Sequence, residues 1–376
     1  MVNPSHHDRL AVEEYRSAGD SNFPRPCPNA DAIELCAVCS ESPDSNGESL
    51  RAAGRRGRPP RRAKASVRAL RRVDIEAHDA AIGAAIQCSD PYMGIHPTAI
   101  VAPGAQIGDG VEIGPYCVIG PHVRLGAGSR LIAHVVIDGD TWVGEECEFY
   151  PFCSVGTTPQ DKKLKATSDP ARLRIGSRNK IREHVTIHGG TPFGGGTTTI
   201  GDHNMLLVGA HIGHDATVGS HVVFTNGAMA AGHTEIGDRS ILGAMVGIHQ
   251  FARVGKLVMV GAGAMVSHDA PPFAMIQGDR AKLVAVNKVG LHRNGYTPEQ
   301  KALVKRVFRL LFWRAGTLHQ RLEFVRESSL YNDPIGREIV EFVADSKRGI
   351  CSPRSGLRNH PSDGEGRNEP GDATTV

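Results

Sequence analysis

The chain has 376 residues, with 43 Lys and Arg against 40 Asp and Glu and a formal net charge of +3. That balance gives no general argument for a nucleic-acid partner, and the length leaves room for one large domain and a smaller one. No apolar run approaches the ~18–20 residues of a membrane span. The N-terminal stretch lacks the apolar core of a secretory signal, and Asp8, Glu13, Glu14 and Asp20 argue against a mitochondrial transit peptide. A cytoplasmic location is the expectation.

Residues 1–92 read as a disordered extension, rich in Pro, Ser, Arg and Asp and without a sustained period. Ten Lys and Arg fall within 51–72 with no acid among them, a charge run that by itself argues only weakly for a nucleic-acid arm. Met93 stands two residues before the first repeat, so it is the expected natural start, with 1–92 an upstream misread or a dispensable leader. Cys36 and Cys39 form a C-x-x-C, but no His/Cys pair follows at zinc-finger spacing.

From Ile95 an aliphatic recurs at every sixth residue: Val101, Ile107, Ile113, Ile119, Leu125, Leu131, Ile137 and Val143, with Phe149 and Val155 closing the run. The count resumes at Ile175, Ile181 and Ile187, and again from Ile200 through Leu206, Ile212 and onward to Val266. Neither a helix nor a strand has a period of six; a parallel β-helix does. Three hexapeptides make a coil of about 18 residues, stacked at about 4.8 Å, and no coil can bury its interior alone. The solenoid is assigned to 93–272. Cys117, Cys147 and Cys153 fall four residues after a repeat aliphatic, where Ala and Ser stand elsewhere, and read as small buried fillers. Two interruptions, near 157–174 and 190–199, are expected to project as loops from the binding face.

A connector is expected over 273–296, then a small α-helical domain over 297–350. Thr297-Pro298-Glu299-Gln300 is a capping-box start, a second helix follows near Leu318, and Asp333-Pro334 opens a third. Residues 351–376 read as a polar, frayed tail.

The chain has 18 histidines, so one alone means little. His211 and His214 share one strand segment, His233 lies 19 residues after His214, and His249 and Gln250 lie 35 and 36 after it. Coil spacing predicts a vertical polar column on one face of the prism. Such a column suits two chemistries: zinc hydration by three imidazoles at ~2.0–2.1 Å, or metal-free acyl transfer with a neutral imidazole as base.

From Ile95 to about Ile350 the chain closely resembles the bacterial acyl-carrier-protein:UDP-N-acetylglucosamine O-acyltransferases of lipid A synthesis, within the hexapeptide-repeat acyltransferases. The resemblance rests on Ile95-His96-Pro97-Thr98-Ala99-Ile100-Val101, Gln160-Asp161-Lys162-Lys163, Ile181-Arg182-Glu183-His184-Val185-Thr186-Ile187-His188, the segment His211 to Asp215, Ala231-Gly232-His233 and Ile248-His249-Gln250-Phe251. It implies a mainly β fold, a left-handed parallel β-helix with a helical C-terminal domain; the hand comes from the family and not from the period.

The resemblance also implies roles. His214 is the general base that deprotonates the glucosamine 3-hydroxyl, Asp215 orients it, and the Gly232 N–H stabilises the oxyanion. Asp161, Lys163, His211, His233, His249 and Gln250 bind the sugar nucleotide or the carrier arm, and Asn287 and Arg293 contact nucleotide and phosphate. No cofactor or metal is implied, since the acyl group arrives on the phosphopantetheine of acyl carrier protein. The family is a homotrimer with sites between neighbours. Acyl carrier protein is acidic, and Arg293, Lys301, Lys305, Arg306, Arg309 and Arg314 form a basic surface for it. The chain departs from the pattern at Val289, where members often carry Glu, and at Asn294, where some carry a second Arg. Strand alternation tends to point neighbours such as His214 and Asp215 apart.

Other readings are the later N-acyltransferase of the same pathway, whose uridine-binding domain 1–92 does not resemble, a β-helical zinc hydratase of the carbonic anhydrase type, and a non-catalytic scaffold.

Overall fold

The six-residue period becomes a three-sided prism. In the structure, a computed structural model that describes residues 94–164 and 171–354, short parallel strands form sheets of nine, eight and ten strands. We call these sheets 1, 2 and 3, the order in which each coil visits them. Partners lie one coil apart, as in Ile100↔Val118 on sheet 1, Gln106↔Arg124 on sheet 2 and Glu112↔Arg130 on sheet 3. Across an insertion the register is kept, with Val143↔Ile175 and Ile175↔Ile200 still aligned. The insertions therefore do not shear the stack.

Most strands contribute one inward and one outward residue. The inward aliphatics, such as Ile119, Ile137, Ile187 and Ile212, are fully buried, whereas Ile95 on the first coil is half exposed. Cys117, Cys147 and Cys153 are buried among them as expected, and burial pushes the Cys153 thiol up to about 12. Cys36, Cys39 and the extension 1–92 lie outside the described residues.

Among the described residues, the chain turns through positive φ at fifteen non-glycine positions, five of them histidine: His134, His184, His203, His221 and His233. Histidine, like Asn and Asp, enters this region more readily than most side chains.

The segment expected to be a plain connector is structured. Ala274–Gln277 extends sheet 3 in parallel, and Lys282–Val286 returns antiparallel to it. Four helices follow or close it: α1 Lys288–Arg293, α2 Pro298–Phe308, α3 Leu318–Arg326 and α4 Pro334–Ala344. Thr297 makes the predicted capping box with Gln300, and Thr317 makes a second with Gln320. Past Phe308 the chain continues as a wider π turn over Arg309–Trp313. Residues 351–354, expected to begin a frayed tail, are ordered together with the segment after α4, which docks on the solenoid; the rest of the expected tail lies outside the described residues. The Cys351 N–H donates to Asp269 O, and the Ser346 hydroxyl donates to the buried Asp269 carboxylate, at 2.9 and 2.8 Å. Among the described residues no helix is long and apolar enough to cross a membrane.

Candidate active site

Both insertions leave from the same edge of the prism. The first separates Ser154–Thr157 on sheet 1 from Arg172–Ile175 on sheet 2, and the second separates Thr186–His188 from Thr197–Ile200 on the next coil. One coil further, the same corner between sheets 1 and 2 is the tight turn from His211–Ile212 to Thr217–Val218, and it carries His214 and Asp215. Asp161 of the first insertion and Thr191 and Gly196 of the second come to this turn.

The expected single column is three columns wrapped round the corner. His211 faces outward on sheet 1, one coil from Thr186 and one from Met229. His214, Gly232 and Gln250 occupy equivalent turn positions on successive coils, as do Asp215, His233 and Phe251, all three at positive φ. His249 sits one place before Gln250, with its Nδ1 2.9 Å from the Gln250 carbonyl.

This placement removes the objection from strand alternation. His214 and Asp215 are turn residues, and a positive φ of 57° at Asp215 brings its carboxylate back to the ring, Nδ1 to Oδ2 at 2.8 Å. The Asp215 side chain is fully buried. Its Oδ1 accepts the N–H groups of Thr191 and Gly196 at 3.0 and 2.9 Å, and Oδ2 accepts the Thr191 hydroxyl at 2.6 Å. Burial works against the charged form, but the Thr191 hydroxyl and His214, with the Thr191 N–H and the nearby His233, outweigh it and hold the carboxyl below its usual range. A carboxylate can only accept, so Nδ1 of His214 carries a proton, and in the neutral ring the lone pair is on Nε2.

Gly232 lies directly beneath the His214 ring. A Cβ there would stand 2.7 Å from both Cε1 and Nε2. The φ of Gly232 is not positive, so what the position needs is space for the imidazole. The Gly232 N–H has no hydrogen-bond partner among the described residues.

Around this pair stand further polar groups. Asp161, on the first insertion, puts Oδ2 3.9 Å from His214 Nε2, and its Oδ1 accepts the Lys163 N–H at 2.8 Å; Lys163 itself is exposed. The His233 ring meets His214 edge-on at 5.0 Å and stacks on Phe251 at 4.6 Å. His211 holds the Thr186 hydroxyl at 2.7 Å and meets His188 edge-on at 4.9 Å. Burial, with help from His211 and His214, pushes buried His188 down to about 4, and burial likewise lowers His211. His188 and Thr191 belong to this cluster, although the sequence reading missed them. The clue was available, since both lie at the mouth of the second insertion.

Asn287 and Arg293 are not brought to this corner. Asn287 is buried, capping α1 through the Gly290 N–H at 2.8 Å and donating to Leu257 O at 2.8 Å. Leu257 belongs to the corner between sheets 2 and 3, and Arg239 of that corner donates to Asn294 at 3.0 Å. Both polar atoms of the Asn287 side chain are therefore engaged inside the protein, so its placement gives it a structural duty that the sequence did not announce.

His214, Asp215 and His233 each place a ligand atom within 4.8 Å of the others, the one such grouping among the described residues. As a zinc site it fits poorly. Asp215 already accepts hydrogen bonds at both oxygens, and His214 Nδ1 is spent on it, so a metal would have to break that network.

Residues 269–351 match the sequence family described as UDP N-acetylglucosamine O-acyltransferase, domain 2. The whole fold is similar to the solved LpxA of Acinetobacter baumannii, at 38% identity and TM-score 0.66 over 68% of this chain and 98% of that one. The UDP-N-acetylglucosamine acyltransferase of Francisella novicida matches at 34% identity and TM-score 0.66 over 71% of this chain and 100% of that one. The Arabidopsis enzyme matches at 32% identity and TM-score 0.62 over 69% and 100%. These neighbours form left-handed β-helices, and the hexapeptide prism described above shares that fold. With this solenoid, this corner and these matches, the chain belongs to the UDP-N-acetylglucosamine acyltransferase family.

Proposed function

We propose that the chain transfers a 3-hydroxyacyl group from acyl carrier protein to the 3-hydroxyl of UDP-N-acetylglucosamine, the opening step of lipid A synthesis. The observation that carries this reading is the His214–Asp215 pair, with Nδ1 committed to the carboxylate at 2.8 Å and Nε2 free above a glycine floor. Nε2 takes the proton of the attacking hydroxyl as its oxygen adds to the thioester carbonyl. The Gly232 N–H faces the resulting oxyanion. Collapse breaks the C–S bond, and the imidazolium returns the proton to the departing thiolate of the phosphopantetheine arm. The reading needs no metal. Asp161, Lys163, His211, His233, His249 and Gln250 line or flank the corner where sugar and carrier arm would lie.

A second copy completes the site in this reading. The outward face of sheet 1 beside His211 carries exposed Val118, Val136, Met229 and Met265, an apolar wall that a neighbour in a closed trimer would cover. Arg293 lies at another corner of its own chain, and a trimer offers it a neighbour's nucleotide. Lys305, Arg306 and Arg309 are exposed and give the acidic carrier a basic surface to dock on.

The deciding experiment is transfer by purified protein from a panel of acyl carrier proteins to UDP-N-acetylglucosamine, beside His214→Ala. The variant should lose at least a factor of about 100 in kcat. Equal rates would remove His214 from the chemistry, and no transfer from any acyl carrier protein would remove the proposed donor.

A further inference from the structure

The second insertion does more than reach the site. Two of its residues, Thr191 near its start and Gly196 at its end, both donate backbone N–H groups to one oxygen of Asp215, at 3.0 and 2.9 Å. The buried Thr191 side chain reaches the other oxygen at 2.6 Å, the same oxygen that receives His214 Nδ1 at 2.8 Å. Below the carboxylate, the Thr198 hydroxyl accepts the Asp215 N–H at 2.8 Å. Gly194 packs so close that any Cβ there would collide with the carboxylate. A loop built to lie over a carboxylate in this way has a stated job in the geometry.

We propose that Thr191 is a positioning residue for the His214 base: its hydroxyl locks Asp215 Oδ2 in the one orientation that accepts the Nδ1–H of His214, and so keeps Nε2 unprotonated and aimed at the acceptor hydroxyl. The inference rests on the reading of His214 as general base. Two consequences follow from the shared oxygen. Without the hydroxyl Oδ2 keeps only its bond from His214 while Oδ1 stays held by the two N–H groups, so the carboxylate tilts more freely about its Cβ–Cγ bond and the ring it orients samples both tautomers. A donor removed from Oδ2 also leaves more of the carboxylate's charge for the imidazolium, which favours the protonated ring. The other titratable groups facing this pair are Asp161 from the first insertion, His233 from the next coil, and His211 and His188 from sheet 1, and none of them touches the Thr191 hydroxyl.

The test is the pH profile of kcat/KM for wild type, Thr191→Val, Thr191→Ala, Thr191→Ser and His214→Ala, with ¹⁵N shifts of the His214 ring. Val and Ala should lower kcat roughly tenfold with KM for the sugar nucleotide little changed. They should move the ascending limb about half a pH unit upward and show mixed tautomers, while Ser restores all three. The limb position does not depend on how much protein is folded, so poor folding cannot imitate the result. A limb that stays in place with a pure Nδ1–H ring in Val and Ala overturns the inference and leaves the base intact. Full activity of His214→Ala overturns the base itself and this inference with it; the two failures show in different proteins.

Discussion

Histidine rings meet one another or other aromatic rings at each of the three corners of the prism, and among the described residues one corner sets a buried carboxylate beside them. At the corner between sheets 3 and 1, His134 and His184 alternate with Tyr116 and Phe152 in a ladder with centroids 5.0–5.2 Å apart. At the corner between sheets 2 and 3, His203 and His221 stack nearly flat at 4.8 Å. At the corner between sheets 1 and 2, His214 and His233 meet edge-on at 5.0 Å, and a buried carboxylate lies between them and the second insertion. The first two stacks arise from the turn itself: a positive φ once per coil favours histidine, and coil stacking then lays ring on ring. What distinguishes the third is Asp215, with four donors holding it ionised and buried. A column of imidazoles is thus a by-product of this fold, and the fixed carboxylate is what makes this corner the candidate site.

If that contrast is right, the carboxylate is where it breaks most easily. Asp215→Asn keeps the shape but turns an acceptor into a donor at one oxygen, against either the loop N–H groups or the His214 ring. We expect kcat to fall on the order of a thousandfold, measured by single-turnover acyl transfer; a loss under tenfold would reduce Asp215 to a loop anchor. Next in size is Gly232→Ala, whose Cβ would displace the imidazole above it. A drop of roughly a hundredfold in kcat, with a melting temperature close to wild type, is the expected pair of results.

The buried imidazoles sharpen the comparison through pH. His188 is pushed from the ordinary 6.5 down to about 4, so the unfolded chain binds a proton first as pH falls. Its contribution is complete above the unfolded value and is lost as pH drops from about 6.5 toward 4, and His211 acts in the same direction. Thermal melts across that window should show a loss on the order of 3 kcal/mol, and His188→Gln should flatten it. An unchanged slope would take His188 out of the account. The smallest effect belongs to the opposite corner. His221→Asn, which suits the same backbone, should change stability by less than about 0.5 kcal/mol and activity by less than twofold; a larger loss of activity would mean that the stacked corner also serves the reaction.

Much of this could be read from the chain before folding it. The six-residue period fixed the coils, their inward aliphatics and the small residues beside them, down to the buried Cys117, Cys147 and Cys153. Capping signals at Thr297 and Asp333 marked two helix starts correctly. The site was only half legible. Spacing singled out His214 and His233, but it would equally have chosen His203 and His221, which are 18 residues apart and one coil from each other. His188 and Thr191 carried no periodic mark, and nothing in the sequence announced that the Asn287 side chain caps a helix.

What the sequence determined by itself is therefore the stack: burial repeats with the coil, and a repeat is visible in one dimension. What only the tertiary structure decided is the meeting of Thr191, Asp215, His214 and Gly232. These contacts run across a turn with positive φ and an irregular loop, where side-chain direction follows backbone angles that no periodicity encodes.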